Sequence, residues 1–229
     1  MHKMEGPVVS NRSRNVLIGI CICFAIVVLL PFSLHSSRLG LTGLAAADTL
    51  DSRFFAAGKS FGNHAIFGHM VLGGFLTLLV PLQLWGTLRR RAPALHRWCG
   101  RLLCGCAVLT GVGGLAYIAV RGTIGGAWMN AGFALYGALL IISALQTVRY
   151  ALKNRFSDHR TWALRLFVLS IGSWIYRIHY GVWYALTDGL ASTPTFEGRF
   201  DLIQNFAFYL PYLVALEIWR RWRKPVVIA

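Results

Sequence analysis

Acidic residues are scarce in this chain: eight Asp and Glu stand against 23 Lys and Arg in 229 residues, which gives a formal net charge of +15. The few carboxylates are scattered, so the sequence contains no cluster that would hold a pair of metal ions. It also lacks a glycine-rich nucleotide-binding loop, a serine nucleophile elbow and a zinc-protease motif. These absences leave the sequence without an identifiable catalytic nucleophile.

Long apolar stretches dominate the chain instead. Hydrophobic residues make up 56% of it, and its mean hydropathy is +0.56. Such a sequence is too apolar for a soluble domain, and its length accommodates about six spans of ~20 residues with short connections. We therefore predict an all-α fold, a polytopic membrane helix bundle in which one transmembrane domain over residues 16–219 lies between a tail of residues 1–15 and a basic tail of residues 220–229.

The apolar runs place the spans at residues 16–34, 64–88, 102–120, 127–148, 161–186 and 200–219. For the first run the alternative is a secretory signal, with Ala45–Ala47 as a small-residue cleavage site. The gap between the run and that site is too long for the usual arrangement of a signal peptide, so we favour a retained first span.

Lys and Arg are concentrated in four segments: both tails, the connection after the second span and the connection after the fourth span. The positive-inside rule places these segments in the cytoplasm, which predicts cytoplasmic termini for a multi-pass protein of the cell (inner) membrane. The basicity is thus explained by topology, and the expected partner is the lipid bilayer rather than nucleic acid. The oligomeric state stays open.

The fifth span and its entry are unusually rich in ionisable groups. The segment Asp158–Leu186 is long enough to cross a bilayer, yet it carries His159, Arg160, Arg165, Arg177 and His179. A charge at the centre of a membrane helix costs at least ~2.5 to 3.5 kcal/mol on insertion scales, so Arg165 and Arg177 need internal partners or a polar cavity. Such residues indicate a functional site.

Four histidines suggest a haem-binding hypothesis. A b-type haem of an electron-transfer cytochrome needs two imidazoles that face each other across the porphyrin, usually from different helices. The predicted topology allows His69 with His179 as an outer pair and His96 with His159 as an inner pair. Small residues lie one helical turn after three of them, at Gly73, Gly100 and Ala163, and would leave room for a flat macrocycle. The alternatives are a solvated His159 and hydrogen-bonded structural histidines within the spans.

The two arginines within the fifth span have several candidate partners. Arg165 and Arg177 would pair with haem propionates, with a quinone head group, or with Glu217 in the sixth span. Gln83 near the inner end of the second span and Asn205 in the sixth span complete a predicted buried polar network with them.

The five cysteines carry less information. They are Cys21, Cys23, Cys99, Cys104 and Cys106, all in the inner halves of the first and third predicted spans, which excludes an external disulfide framework on this topology. His96, Cys99 and Cys106 fall within about 80° of helical arc, so a soft-metal or redox-thiol site is one interpretation. The role that we favour is that of small apolar residues.

Several of these motifs occur together in a known family. They are PLQ at Pro81–Gln83, HRWCGR at His96–Arg101, HRTWALR at His159–Arg165, Arg177, and a last helix with Asn205 and Glu217. Over roughly residues 62–219 the chain resembles the bacterial membrane proteins grouped as domain of unknown function 2306, DUF2306. That resemblance implies the helical membrane fold without an activity. More loosely, the histidines on the second, third and fifth spans are similar to those of cytochrome b561 and ferric-reductase-type membrane cytochromes, which implies haem.

Two functional hypotheses follow from the sequence. The first is an inner-membrane b-type cytochrome that passes electrons between quinol, another small reductant or a redox partner protein and a second acceptor, with haem b on His69, His96, His159 and His179. The second is a haem-free small transporter or accessory subunit of a membrane complex, built on the network of Arg165, Arg177, Glu217, Gln83 and Asn205. Whether the protein is an enzyme stays open.

Overall fold

A computed structural model describes residues 11–46 and 49–222 of the chain, with side chains from residue 16 onwards. Most of the predicted N-terminal tail, Ala47 of the alternative cleavage site and residues 223–229 of the basic tail lie outside the described residues. The described residues form helices joined by short loops, and they contain no strand. The prediction of an all-α helical bundle is confirmed.

The helices follow one another as α1 Asn11–Ala45, α2 Ser60–Leu79, a 3-10 helix Val80–Leu84, α3 Gly86–Arg91, α4 Pro93–Arg121, α5 Gly126–Leu152, α6 Phe156–Thr187, α7 Arg199–Ala207 and α8 Leu210–Trp222. Five segments are long and apolar enough to cross a membrane: α1, α2 with its 3-10 extension, α4, α5, and α7 with α8. The 32-residue α6 is long enough, but Arg165 and Arg177 make it more polar. With α6 the chain would cross six times.

Proline and small residues explain where the helices differ from the predicted spans. The second predicted span changes into a 3-10 helix at Pro81, which has no N–H for the helical ladder, and the chain then turns into the short α3. The first helix continues to Ala45, well past the predicted end at Leu34. Its extension packs on α2 through Gly40 and Gly43, so part of the predicted long connection is helical.

The bundle core lies between α2, α4, α5 and α6, with the junction of α7 and α8 inserted against it. Phe208 and Tyr209 at that junction are 0% exposed, and both rings contact Tyr136 of α5. Gly111 of α4 approaches α5 so closely that a Cβ on it would lie 3.1 Å from the carbonyl oxygen of Gly137. Close backbone approach through glycine is typical of membrane helices, whose association depends on packing rather than on the hydrophobic effect.

Helix α1 depends on the same kind of packing against α2. A Cβ added to Gly40 would lie 2.7 Å from the carbonyl oxygen of Phe67 and 2.9 Å from the backbone N of Val71. Since both neighbours are backbone atoms, Gly40→Ala should push the helices apart and lower the free energy of unfolding by about 1 to 3 kcal/mol. Unfolding in detergent micelles, followed by circular dichroism, measures the change.

The matched control is Gly68→Ala on α2, because a Cβ there meets nothing within 4 Å. Replacing an unhindered helical glycine by alanine should be neutral or stabilising by up to about 1 kcal/mol. Equal losses in the two variants would contradict the packing argument.

Candidate functional site

A cavity of about 440 Å³ lies within the bundle among α2, α4, α5 and α6. We call it the outer cavity, because the connections after α1, α4 and α6, which the charge distribution predicts to be outside, lie at its end of the bundle. Most of its wall is apolar, and four glycines on three helices leave bare backbone in it: Gly73, Gly111, Gly114 and Gly137. Its ionisable groups are His69, three arginines and tyrosines, and among the described residues no Asp or Glu lines it.

Three guanidinium groups reach the outer cavity without a carboxylate partner. Arg177 of α6 donates to the carbonyl oxygen of Ser173 at 2.8 Å and to its Oγ at 3.0 Å. Arg121 at the end of α4 donates to the carbonyl oxygen of Phe54 at 2.6 Å. Arg53, in the connection between α1 and α2, lies over the ring of Phe54 at 5.0 Å. The three ion pairs among the described residues involve other arginines, so the outer cavity carries net positive charge.

His69 has its tautomer fixed by the backbone of α4. Its Nδ1 lies 2.8 Å from the carbonyl oxygen of Thr110, which can only accept, so Nδ1 carries the proton and Nε2 is left as an acceptor or ligand atom. Gly114 makes room for the ring, since a Cβ there would lie 3.1 Å from Nδ1. The hydroxyl of Thr110 is buried without a partner beside the same cavity. A hydrogen-bonding ligand would find two uncommitted groups here.

His179, the predicted haem partner of His69, does not line the outer cavity. Its Nε2 lies 2.7 Å from the hydroxyl of Tyr212, and its Nδ1 lies 3.0 to 3.1 Å from the side-chain amide atoms of Gln204. Both ring nitrogens are therefore engaged, and the ring stacks on Tyr212. The structure turns His179 towards α7 and α8, so His69 and His179 are not brought together around one cavity.

The inner pair is placed more favourably. His159, in the first turn of α6, has its Nδ1 2.9 Å from the carbonyl oxygen of Thr147, which leaves Nε2 without a hydrogen bond. His96, in the first turn of α4, is close enough to His159 for their charges to interact, and its Nδ1 is buried without a partner. Gln83 lies nearby, since a Cβ on Gly100 of α4 would be 3.5 Å from its Oε1.

The predicted buried network separates into four parts. Arg165 and Glu217 do meet, with Nε 2.7 Å from Oε1, and Arg220 binds the other carboxylate oxygen at 2.8 Å. Arg177 lies in the outer cavity instead, and the Nε2 of Gln83 is buried without a partner. Asn205 is 0% exposed, with neither side-chain polar atom partnered. The ion pair joins α6 to α8 and is a structural contact.

Asp201 is a buried carboxylate that the sequence interpretation missed. It is 0% exposed and accepts four hydrogen bonds, from the hydroxyls of Tyr180 at 2.6 Å and Ser192 at 2.8 Å and from the backbone N–H groups of Thr193 at 2.9 Å and Gly198 at 3.0 Å. These bonds fix the connection between α6 and α7. The available signal was its position three residues after Gly198 at a helix start, where an acidic side chain reaches back to the capping backbone.

The same connection covers the outer cavity. Phe196 lines the cavity, lies 5.5 Å from the guanidinium of Arg53 and packs edge-on against Tyr180. Tyr180 in turn contacts the hydroxyl of Tyr176, another cavity residue, at 3.4 Å. Asp201 therefore holds both the cover of the cavity and part of its wall in place.

Comparison with known proteins gives one match. A family model described as "Predicted membrane protein (DUF2306)" matches residues 66–219, from the first turns of α2 to α8. No curated protein and no solved structure matches the chain. The looser similarity to cytochrome b561 is thus not supported, and the chemistry has to be argued from the side chains themselves.

Replacing Asp201 should loosen the cover of the outer cavity. Asp201→Asn keeps one oxygen and replaces the other by an amide N–H₂, so the side chain can accept from the N–H groups of Thr193 and Gly198 or from the two hydroxyls, but not from both pairs. Leaving buried donors unpaired should lower the free energy of unfolding by about 3 kcal/mol. Limited proteolysis should also cut residues 188–198 faster than in the parent protein.

Asp188→Asn is the matched control, because Asp188 is exposed and has the left-handed backbone (φ 53°) that asparagine also tolerates. It should leave both stability and proteolysis near the parent values. An Asp201→Asn protein that resists protease as the parent does would show that the carboxylate does not hold the connection.

Proposed function

This chain belongs to the DUF2306 family of predicted membrane proteins, and from its own geometry we propose that it binds an amphipathic organic anion in the outer cavity. The observation that carries the proposal is the set of three guanidinium groups, of Arg53, Arg121 and Arg177, in a cavity that no acidic residue of the described part of the chain lines. A cation in a low-dielectric interior is costly unless an opposite charge accompanies it. A carboxylate or phosphate of a ligand would supply that charge.

The rest of the wall defines the body of the ligand. Between the arginines and the bottom of the cavity the lining is made of apolar side chains such as Leu76, Leu115 and Phe133 and of the bare glycines. Arg121 and Thr110 both line the cavity from α4 and are about 16 Å apart at a rise of 1.5 Å per residue. The ligand should therefore combine an anionic head with an apolar body of about this length.

The uncommitted groups at the bottom add a second polar contact. The Nε2 of His69 would accept a hydrogen bond, and the hydroxyl of Thr110 would donate or accept one. A quinone head group, considered from the sequence as a partner of the arginines, could accept from the hydroxyl of Thr110, but it has no donor for the Nε2 of His69 and it leaves the guanidiniums uncompensated. An anion with a polar group at its far end uses both ends of the cavity.

The location of the cavity favours the transporter hypothesis over the accessory subunit. The site lies between the helices, and the connections that contribute Arg53, Phe54 and Phe196 line its outer end. We infer that the protein captures its ligand at the outer half of the membrane, as the first step of moving or sensing it.

Binding of cis-parinaric acid, a fluorescent polyunsaturated fatty acid, tests this proposal. The protein would be reconstituted in nanodiscs of zwitterionic lipid and titrated with the probe. Arg177→Gln should weaken binding about tenfold, because a hydrogen bond to a charged group contributes ~1.5 to 3 kcal/mol and 1.4 kcal/mol is a factor of ten. The methyl ester of the probe, which has no negative charge, should bind the parent protein at least as weakly as the acid binds Arg177→Gln.

Arg160→Gln is the matched control, since Arg160 is an exposed arginine at the opposite end of the same helix. It should bind the probe like the parent protein. Equal affinity for the acid and its ester, or an Arg177→Gln variant of parental affinity and melting temperature, would rule out an anion site.

A second candidate function, electron transfer by haem b, is favoured by the inner histidines. The Nδ1 of His159 lies against the carbonyl of Thr147, which would leave its Nε2 to hold a haem iron, and His96 lies nearby with an unpartnered nitrogen. The outer pair does not fit, because only His69 of the two lines the cavity. A bound haem would supply one-electron chemistry, with His96 and His159 holding it and a quinol or a partner protein as donor.

Absorption spectra of the purified protein, oxidised and dithionite-reduced, test the haem candidate. A Soret band that shifts on reduction should disappear in His96→Ala and in His159→Ala, and it should persist in His179→Ala, whose nitrogens are engaged elsewhere. A colourless protein from haem-replete cells would exclude this function and leave anion binding untouched.

A further inference from the structure

A groove of about 800 Å³ lies on the outside of the bundle, between α1 and the segment from Trp85 to Arg91. We call it the α1 groove. One wall is the α1 face formed by Val16, Gly19, Ile20, Cys23, Phe24 and Val27, and the other is formed by Trp85, Thr87, Arg90 and Arg91. The groove is remote from the outer cavity, with which it shares no lining residue.

The α1 groove is apolar along its length and cationic at one end. Ile20, Phe24 and Val27 are 60%, 69% and 65% exposed, so they face lipid. At the other end Arg90 reaches only the hydroxyl of Thr87, at 3.5 Å, and neither Arg90 nor Arg91 forms an ion pair among the described residues. None of the Asp and Glu residues that the structure describes lines the groove. It therefore offers an apolar slot that leads to two uncompensated cations.

The backbone geometry keeps this groove open. The chain leaves α2 through the 3-10 helix at Pro81 and turns into α3, which holds the three consecutive arginines beside the beginning of α1. The indole of Trp85 lies against Gly19, where an added Cβ would be 3.5 Å from the ring. This contact fixes the spacing between α1 and the segment from Trp85 to Arg91, and it forms the floor of the groove.

The predicted topology places the cationic end at the cytoplasmic surface of the membrane. Basic residues next to a span attract anionic lipids of the inner leaflet, at about 1 kcal/mol for each Lys or Arg near the surface. The α1 face from Val16 to Val27 extends about 16 Å at 1.5 Å per residue, which accommodates much of one acyl chain. A second copy of the chain is the less favourable occupant, because a symmetric contact would set one arginine rim against the other.

We propose that the α1 groove is a specific site for one anionic phospholipid. Its phosphate would lie between Arg90 and Arg91, and one acyl chain would follow Ile20, Phe24 and Val27 along α1. The lipid would fill the gap between α1 and the segment from Trp85 to Arg91, and it would thus stabilise the packing of α1 on the bundle.

Native mass spectrometry of the full chain tests this site. The protein would be equilibrated with equal amounts of phosphatidylglycerol and phosphatidylcholine in detergent, and activated until loosely bound lipid is lost. The parent protein should keep one phosphatidylglycerol. The double variant Arg90→Gln with Arg91→Gln should retain at least fivefold less of that adduct than the parent protein. Cys23→Trp, which fills the apolar part of the groove, should also reduce the adduct, without a change of charge.

The control Arg89→Gln with Arg97→Gln removes two exposed arginines that do not line the groove and should keep the adduct. Arg177→Gln should keep it as well, which separates this site from the outer cavity. Retention of phosphatidylcholine to the same extent, an unaffected Arg90→Gln with Arg91→Gln protein, or a lipid-free dimer in place of the adduct would each overturn the proposal.

Discussion

The need to compensate a guanidinium inside a membrane shapes most of this bundle. Helix α6 carries two such groups, Arg165 and Arg177, and of these two only Arg165 has a carboxylate partner among the described residues. Arg165 meets the carboxylate of Glu217 and lies 4.2 Å from the ring of Trp162, so its charge is neutralised within the protein. Arg177 has only the oxygens of Ser173 and the ring of Phe32. One arginine is thus part of the scaffold, and the other is available to a ligand.

Glycine has two roles around the outer cavity: at some positions it lets helices pack closely, and at others its missing side chain leaves space in the cavity wall. At Gly111 the bare backbone lets α4 approach α5, and at Gly132 it lets α5 approach the backbone of Asn205. At Gly73 and Gly137, by contrast, the nearest side-chain atoms would lie 3.4 Å from an added Cβ, at ordinary contact distance, and the two residues line the outer cavity. The polar groups in the wall of this cavity favour solvent or a polar ligand inside it, because a buried polar group without a hydrogen-bond partner is costly.

The sequence predicted contacts that depend on depth in the membrane better than contacts that depend on rotation about a helix axis. Arg165 and Glu217 were placed at similar depth on consecutive spans, and they do pair. His69 and His179 were also placed at similar depth, but α6 turns His179 towards Tyr212 and Gln204. Helix rotation follows from the packing of all neighbours at once, which a hydropathy pattern does not contain.

The connections between helices were the least predictable part of the site. Arg53, Arg121 and Phe196 lie at or beyond helix ends, outside the polar network that the sequence predicted, and the structure gathers them at one cavity. Asp201 illustrates why the connections are hard to predict. Its four hydrogen bonds come from two backbone N–H groups and two hydroxyls that are scattered along the chain. Folding of a loop around a buried carboxylate leaves no periodic signal.

The residues that the family model matches distinguish the two proposed sites, the outer cavity and the α1 groove. Residues 66–219 include His69, Arg121 and Arg177, so the matched region alone supplies a cavity with cations and no carboxylate in its wall. Helix α1 lies outside that region and adds Phe32 and Ser36 as a further wall, with the hydroxyl of Ser36 bound to the carbonyl oxygen of Met70 at 2.9 Å. The α1 groove, in contrast, needs α1 for a whole side. The matched region thus contains Arg121 and Arg177 of the proposed anion site but not Arg53, whereas the proposed lipid site requires the whole of the first helix.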